Sequence, residues 1–367
     1  MRRGLMAWDP QELPTAALTE RLARLRAGFE CERLDAFLCY TNLTRPSAVT
    51  WLTGFTPYWS DGLLLVPRAG HPLLATALSK RVNGWIRSTN PMSEVINTPK
   101  PGTAVGERLA TEGTVRRLGV LEPDRLPAGL ADEIKAAAPT VEWVDATGLF
   151  AACRRSVDAA ERNLLTRADA IAEAALAQLD RAREQNAGAV ASLIERHARC
   201  AGAEEVYVAI APDLDRDERM QRPSTEAGLG RRFAVRASVA YKGVWVRRTR
   251  TFAQDEGGRA AAKRGDGWLG EVVRSMRPGS RFGQFLADGV ASASGIVLKR
   301  WMAESCRGSD PLAVVASSGY AHAATTEDTG GDRAEPGSFF VLSVTLAVDG
   351  VPWLGATPVV IAPQGSA

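Results

Sequence analysis

The pattern of apolar residues changes at Arg154-Arg155, and this change limits the fold more than any other feature of the sequence. Before it, short continuous apolar runs alternate with stretches of helical spacing. Residues 15–33 repeat Leu18, Leu22, Leu25 and Phe29 every three or four positions, which predicts a helix. Residues 35–40, 62–67 and 72–77 are apolar runs of strand length, and 118–121 and 141–144 carry weaker strand signals. Strands alternating with helices predict an α/β domain. After Arg154-Arg155, Leu164, Leu165, Ala168, Ile171, Ala175, Leu176 and Leu179 trace one face of a long helix, with Asp158 placed as its N-cap. A second helix carries Val190, Leu193, Ile194, His197 and Ala201 and stops at Gly202. Strand-like runs follow at 206–211, 233–241, 243–252, 339–346 and 358–361, with a third helix expected over 281–300 after Arg277-Pro278-Gly279. Two helices on one side of an antiparallel sheet predict an α+β half. With 367 residues the chain is too long for one ordinary core, and the expected domains are 1–152 and 153–367.

Composition excludes several classes. A net charge of +3 is small for this length, so no nucleic-acid role follows from it. No apolar run approaches the roughly 18–20 residues of a membrane span, and Met1 to Pro10 lacks the apolar core of a leader peptide. The five cysteines are scattered without a CxxC pair, which fits idle thiols in a reducing compartment. A cytoplasmic location without membrane partners is the expectation. Three histidines are too few for a His-rich metal site.

Several segments resemble the creatinase and aminopeptidase P family in order and spacing. Asn42-Leu43-Thr44-Arg45 with Trp51-Leu52-Thr53-Gly54-Phe55 is similar to a segment of that family's N-terminal domain. Ser156 to Glu161 resembles the start of the first helix of its C-terminal domain. Tyr241-Lys242-Gly243, leading to Thr249-Arg250-Thr251-Phe252, is similar to a strand pair whose second member ends in T-R-T-F. Met276-Arg277-Pro278-Gly279 and the run from Glu335 to Phe340 add support. The resemblance implies a creatinase-like α/β N-terminal domain, a C-terminal α+β pita-bread domain, and a habit of dimerising, either with itself or with a paralogue.

It also implies a metal site that this sequence does not reproduce. Family metallopeptidases hold two divalent ions with two Asp, one His and two Glu. Counting back from Thr249-Arg250-Thr251-Phe252 puts the two Asp positions at Arg236 and Arg247. The ligand His falls near Tyr320, and the two Glu fall at Ser343 and at Gly355-Ala356-Thr357. Arg222 stands in place of a substrate-side histidine. A guanidinium has no lone pair to donate and is always charged, so neither a metal nor another cofactor is expected.

The candidate substrate-binding residues are therefore Arg222, Arg236, Arg247 and Arg250. Two outcomes are open for the arginines of the strand pair. They bind a carboxylate or phosphate by paired hydrogen bonds, or they pair with a buried acid such as Glu327 or Asp328 and staple an inactive pocket. Arg248 alternates with its neighbours and is expected at the surface on the other face. His322, Tyr320 and Glu327 are the candidate catalytic residues, as base and proton donors; the alternatives are an aromatic plug at Tyr320 and an exposed acidic loop at Glu327 and Asp328. His197 reads as helix packing, His71 as a solvated turn residue, and residues 213–219 as a solvated hairpin tip. The leading functional expectation is a metal-independent enzyme that cleaves or rearranges a C–N bond in a small, anionic substrate. A non-catalytic ligand-binding or partner subunit is the alternative, and a metal-dependent Xaa-Pro aminopeptidase comes last.

Overall fold

The computed structural model describes residues 8–304, 322–323 and 333–362, apart from positions 44, 58, 181–185 and 225. The described chain forms two compact units that part between Arg155 and Ser156.

The first unit runs α1 (Thr15–Glu32), β1 (Ala36–Thr41), α2 (Ser47–Thr53), β2 (Gly62–Pro67), β3 (Leu73–Thr76), α3 (Asn83–Thr89), β4 (Glu94–Asn97), α4 (Pro101–Glu112), β5 (Arg117–Val120), α5 (Ala128–Ala137), β6 (Glu142–Asp145) and α6 (Thr147–Cys153). Its sheet has the order β4-β3-β2-β1-β5-β6, mixing antiparallel β1–β2 and β2–β3 pairs with parallel β1–β5, β3–β4 and β5–β6 pairs. The apolar runs are continuous because both faces are covered. Phe37, Cys39, Leu64 and Val66 enter one core with Phe29, Trp51 and Phe150, while Leu38, Leu63 and Leu65 enter a second with Val105, Leu109 and Ile134. The Trp51 to Phe55 segment packs into the first of these cores. Trp51 meets Phe150 edge-on at 5.8 Å, Gly54 closes α2 at φ 78° with its N–H donating to the Thr50 carbonyl, and Phe55 is 1% exposed.

The second unit runs α7 (Ala159–Ala177), α8 (Ala187–Cys200), β7 (Glu205–Ala211), β8 (Arg232–Tyr241), β9 (Val244–Ala253), α9 (Glu256–Ser275), α10 (Phe282–Ala291), β10 (Ile296–Glu304), β11 (His322–Ala323), β12 (Phe339–Val348) and β13 (Val351–Val360). Seven strands form one antiparallel sheet in the order β11-β10-β12-β13-β9-β8-β7. Asp158 caps α7 as the sequence predicts, accepting from the Glu161 N–H at 2.8 Å. Helices α7 and α8 bury their apolar faces on β7, β8 and β9 through Ile171, Ala175, Val190, Ile194, Val235 and Val246.

Two sequence expectations are corrected here. The helix expected over 281–300 ends at Ala291, and β10 follows from Ile296. Gly295, at φ 74°, turns the chain, and Ile296, Val297 and Leu298 then pair with β12, where β-branched residues pack well. The sequence reading also passed over α9. Five glycines (257, 258, 265, 267 and 270) interrupt its apolar pattern, each disfavoured in a helix by up to about 1 kcal/mol. Gly265 is needed there, because a Cβ at that position would lie 2.6 Å from the Trp353 indole. Asp255 caps the helix, accepting from the Gly258 N–H.

Candidate anion pocket

The site begins with a two-residue turn. Lys242 and Gly243 both have positive φ, 46° and 81°, as a type I′ hairpin requires. That turn pairs Tyr241 with Val244 and fixes the register of β8 on β9: Ser238 lies opposite Arg247, and Arg236 opposite Thr249. Residues directly opposite in an antiparallel pair share a face. Thr249 lies opposite Ala356 of β13, Ala356 opposite Ser343 of β12, and Ser343 opposite Met302 of β10. One row across the sheet therefore brings together Arg236, Thr249, Ala356, Ser343 and Met302, with Arg247 two residues from Thr249 on the same face. Val235, Ala237, Val239 and Val246, of the opposite parity, join the core that α7 and α8 build, so Arg236, Arg247 and Thr249 face away from those helices, while the small Ala356 also touches that core.

Arg247 is 0% exposed. Its Nη1 donates to Glu304, at the end of β10, while its Nε and Nη2 have no hydrogen-bond partner among the described residues. These two nitrogens form the side-on fork of a guanidinium, the geometry that grips two oxygens at once. Arg236 Nε, Thr249 Oγ1 and Ser343 Oγ are likewise buried without partners among the described residues. Burial, and then the neighbouring Arg247 charge, push the Arg236 guanidinium down to about 10, with Glu304 pulling the other way. Leaving several buried donors unmade costs about 1–3 kcal/mol each, and their concentration on one face calls for an acceptor.

Above this row lies a cavity of about 420 Å³, bordered by Arg236, Thr249, Met302 and Ser343 and by Glu218, Arg219 and Arg300. Residues 213–219, read from sequence as a solvated hairpin tip, fold back instead. Leu214 packs with Ala211, Ala234 and Leu354, and mutual backbone bonds between Ile210 and Gln221, both 2.9 Å, return the chain to β7. The rim charges are partly matched: Lys299 reaches Glu218 at 2.6 Å and Arg300 reaches it at 3.5 Å, while Arg219 grips Asp217 at 2.9 Å.

The sequence candidates divide. Arg236 and Arg247 meet on the cavity face. Arg250 does not, because strand alternation turns it with Arg248 to the helix side, where it bonds both Asp180 oxygens at 3.1 and 3.2 Å. Arg248, expected at the surface, is half-buried and clamps Asp169 of α7, with Nη2 2.8 Å from Oδ2. Arg222 is exposed one residue beyond Gln221 and does not border the cavity, whose rim arginine from this segment is Arg219. The backbone at His322 lies beside Trp301 on β10. Tyr320, Glu327 and Asp328 fall outside the described residues. The acid that does pair with Arg247 is Glu304, which the sequence reading missed.

The donor set that the described residues offer does not suit a divalent ion. Such ions take carboxylate, imidazole or thiolate ligands, and among the described residues no three His, Cys, Asp or Glu converge. The carboxylates at hand, Glu218 and Glu304, are each held by cationic side chains.

Comparison with known proteins bears on the fold. Residues 21–156 match the creatinase/prolidase N-terminal domain. Over nearly the whole chain the structure superposes on the prolidase from Pyrococcus horikoshii OT3, with TM-score 0.68, 15% identity, and 94% of this chain and 96% of that one covered. The chain has the creatinase and aminopeptidase P fold. The Xaa-Pro dipeptidase from Bacillus anthracis gives TM-score 0.68 at 17% identity, covering 95% and 96% of the two chains. The X-Pro aminopeptidase from Thermotoga maritima MSB8 gives 0.67 at 16%, covering 94% and 95%. No curated protein matches the sequence. The pita-bread half thus presents its cavity on the antiparallel sheet, and identities this low leave the chemistry to the residues in it. Among the described residues no helix is long and apolar enough to cross a membrane.

Proposed function

We propose that the pita-bread cavity takes a small anionic substrate and acts on it without a divalent metal pair, cleaving or rearranging a C–N bond. The observation that carries this reading is Arg236, a largely buried cation bordering the cavity whose Nε has no partner among the described residues. An unpaired buried charge is among the costliest features a fold retains, and an anionic ligand offsets it directly. The bond class follows the names of the similar structures, a dipeptidase and an aminopeptidase, which break C–N bonds. In this reading Arg247 supports the anion site, His322, Tyr320 and Glu327 carry protons, and the protein works in the cytoplasm as a homodimer or beside a paralogue.

A second reading, ligand binding without turnover, is favoured by the Arg247–Glu304 pair, which already neutralises one of the two arginines. Co-purification with a related, metal-competent chain is the result that would favour it.

Equilibrium dialysis against manganese, zinc and cobalt tests the metal-free premise. The expected result is no stoichiometric ion and no gain of Xaa-Pro hydrolysis on addition. Two ions bound per chain, lost in Ser343→Ala, overturn it.

A further inference from the structure

Charge and burial inside the cavity vary with depth, and the variation describes a ligand. Among the described residues, Arg236 on the cavity border and the fully buried Arg247 behind it stand against one acid, Glu304, leaving an excess of one positive charge beneath the floor. Around the mouth, Arg219, Lys299 and Arg300 stand against Asp217 and Glu218, again an excess of one. The exposures separate the two levels: Arg247 is 0% and Thr249 5% exposed, whereas the Arg219 and Arg300 side chains are 83% and 47% exposed. Met220, Met302 and Leu354 line the space as well, offering apolar contact but no hydrogen-bond donor of any strength. The volume, about 420 Å³, is at the small end of ligand pockets.

Resting on the anion-site reading above, we propose that the ligand is a small dicarboxylate, held with one carboxylate buried against Arg236 and the second at the mouth near Arg300 and Arg219. The inner group is a monoanion because the floor offers one uncompensated positive charge. A dianionic phosphate there leaves a net negative charge in a poorly solvated place, which is strongly unfavourable. Two oxygens suit the floor, where Arg236 Nε and the Thr249 and Ser343 hydroxyls lack partners among the described residues. The outer group sits among solvated side chains, so it adds selectivity more than raw affinity. The two methionines suit a short methylene spacer and adapt to its shape.

Isothermal titration of the full chain with succinate, butyrate and inorganic phosphate, at matched ionic strength, tests the assignment. Succinate is expected to bind at least about tenfold tighter than butyrate, the difference that about 1.4 kcal/mol of rim contact confers. In the double variant Arg219→Gln/Arg300→Gln, both at exposed sites, succinate falls to the level of butyrate while butyrate is unchanged. Arg236→Met abolishes both, with Arg236→Lys keeping weak binding as a control for folding. Equal binding of succinate and butyrate, or tighter binding of phosphate than of either, overturns the dicarboxylate and leaves the anion site standing, provided Arg236→Met still removes it. No binding of any of the three anions to the parent chain overturns both.

Discussion

The two faces of the β8–β9 hairpin bury the same residue type and treat it differently. On the helix side, Arg248 clamps Asp169 and Arg250 clamps Asp180. Burial draws the Arg248 guanidinium down, yet the Asp169 hydrogen bond and charge, with the charges of Glu173 and Asp266, more than offset this, and it ends above its ordinary value. On the cavity side, burial acts on Arg236 without such compensation, and it falls to about 10. One face is therefore finished by intramolecular pairs, and the other leaves donors unmade. A fold keeps such a deficit where a ligand completes it.

The largest effect expected from disturbing this contrast is at Glu304. Glu304→Gln removes the charge that neutralises Arg247 and leaves two buried guanidinium groups side by side. Breaking a buried pair in this way costs about 3–5 kcal/mol, read as a drop in urea midpoint. Succinate is expected to restore part of the loss in the variant, by mass action on the folded state. A midpoint within the error of the parent would mean that Glu304 does not carry the charge balance of the floor.

Arg236→Met tests the same contrast with the opposite sign. Removing a cation whose burial is uncompensated is expected to raise unfolding free energy by about 1–2 kcal/mol in the absence of anions, the scale of an unmade buried donor. Destabilisation instead would mean that Arg236 holds the fold together, as Arg248 does, and that its face is not a vacant ligand site.

How far the sequence foretold this depends on how local each signal is. The Asp158 cap, the apolar face of α7 and the runs of β1 and β2 follow from nearest-neighbour chemistry and were legible. Arg236 and Arg247 were placed together by the family resemblance, counting back from Thr249-Arg250-Thr251-Phe252, and the Lys242-Gly243 turn fixes the register that puts them on one face. The alternation that sent Arg248 to the far face applies equally to Arg250, two residues on, yet the sequence reading left Arg250 in the pocket. Glu304 was hidden because residues 281–300 have helical spacing up to the place where Gly295 breaks it, and only pairing with β12 reveals the strand. Glu218 and Arg219 were hidden because their segment is charged throughout, and its return to β7 depends on the backbone bridge between Ile210 and Gln221. α9 was hidden by five glycines, of which Gly265 shows its use only against Trp353.

The smallest effect separates the two arginines of the helix side. The Arg248 and Asp169 side chains are 23% and 24% exposed, whereas Arg250 and Asp180 are 27% and 51% exposed. Both arginines bond two carboxylate oxygens, so geometry alone does not distinguish them. Exposure does, because water and salt screen the Arg250 pair more and leave less net gain. Arg248→Met is expected to cost about 1–2 kcal/mol, as for a hydrogen-bonded charge pair that is largely desolvated. Arg250→Met is expected to cost under about 1 kcal/mol, and its effect should shrink further in 0.5 M salt. Both variants should bind succinate as the parent does, since neither residue faces the cavity. Lost binding in Arg250→Met with folding intact would put that guanidinium back among the ligand contacts, and the division of the hairpin into a finished and an unfinished face would fail.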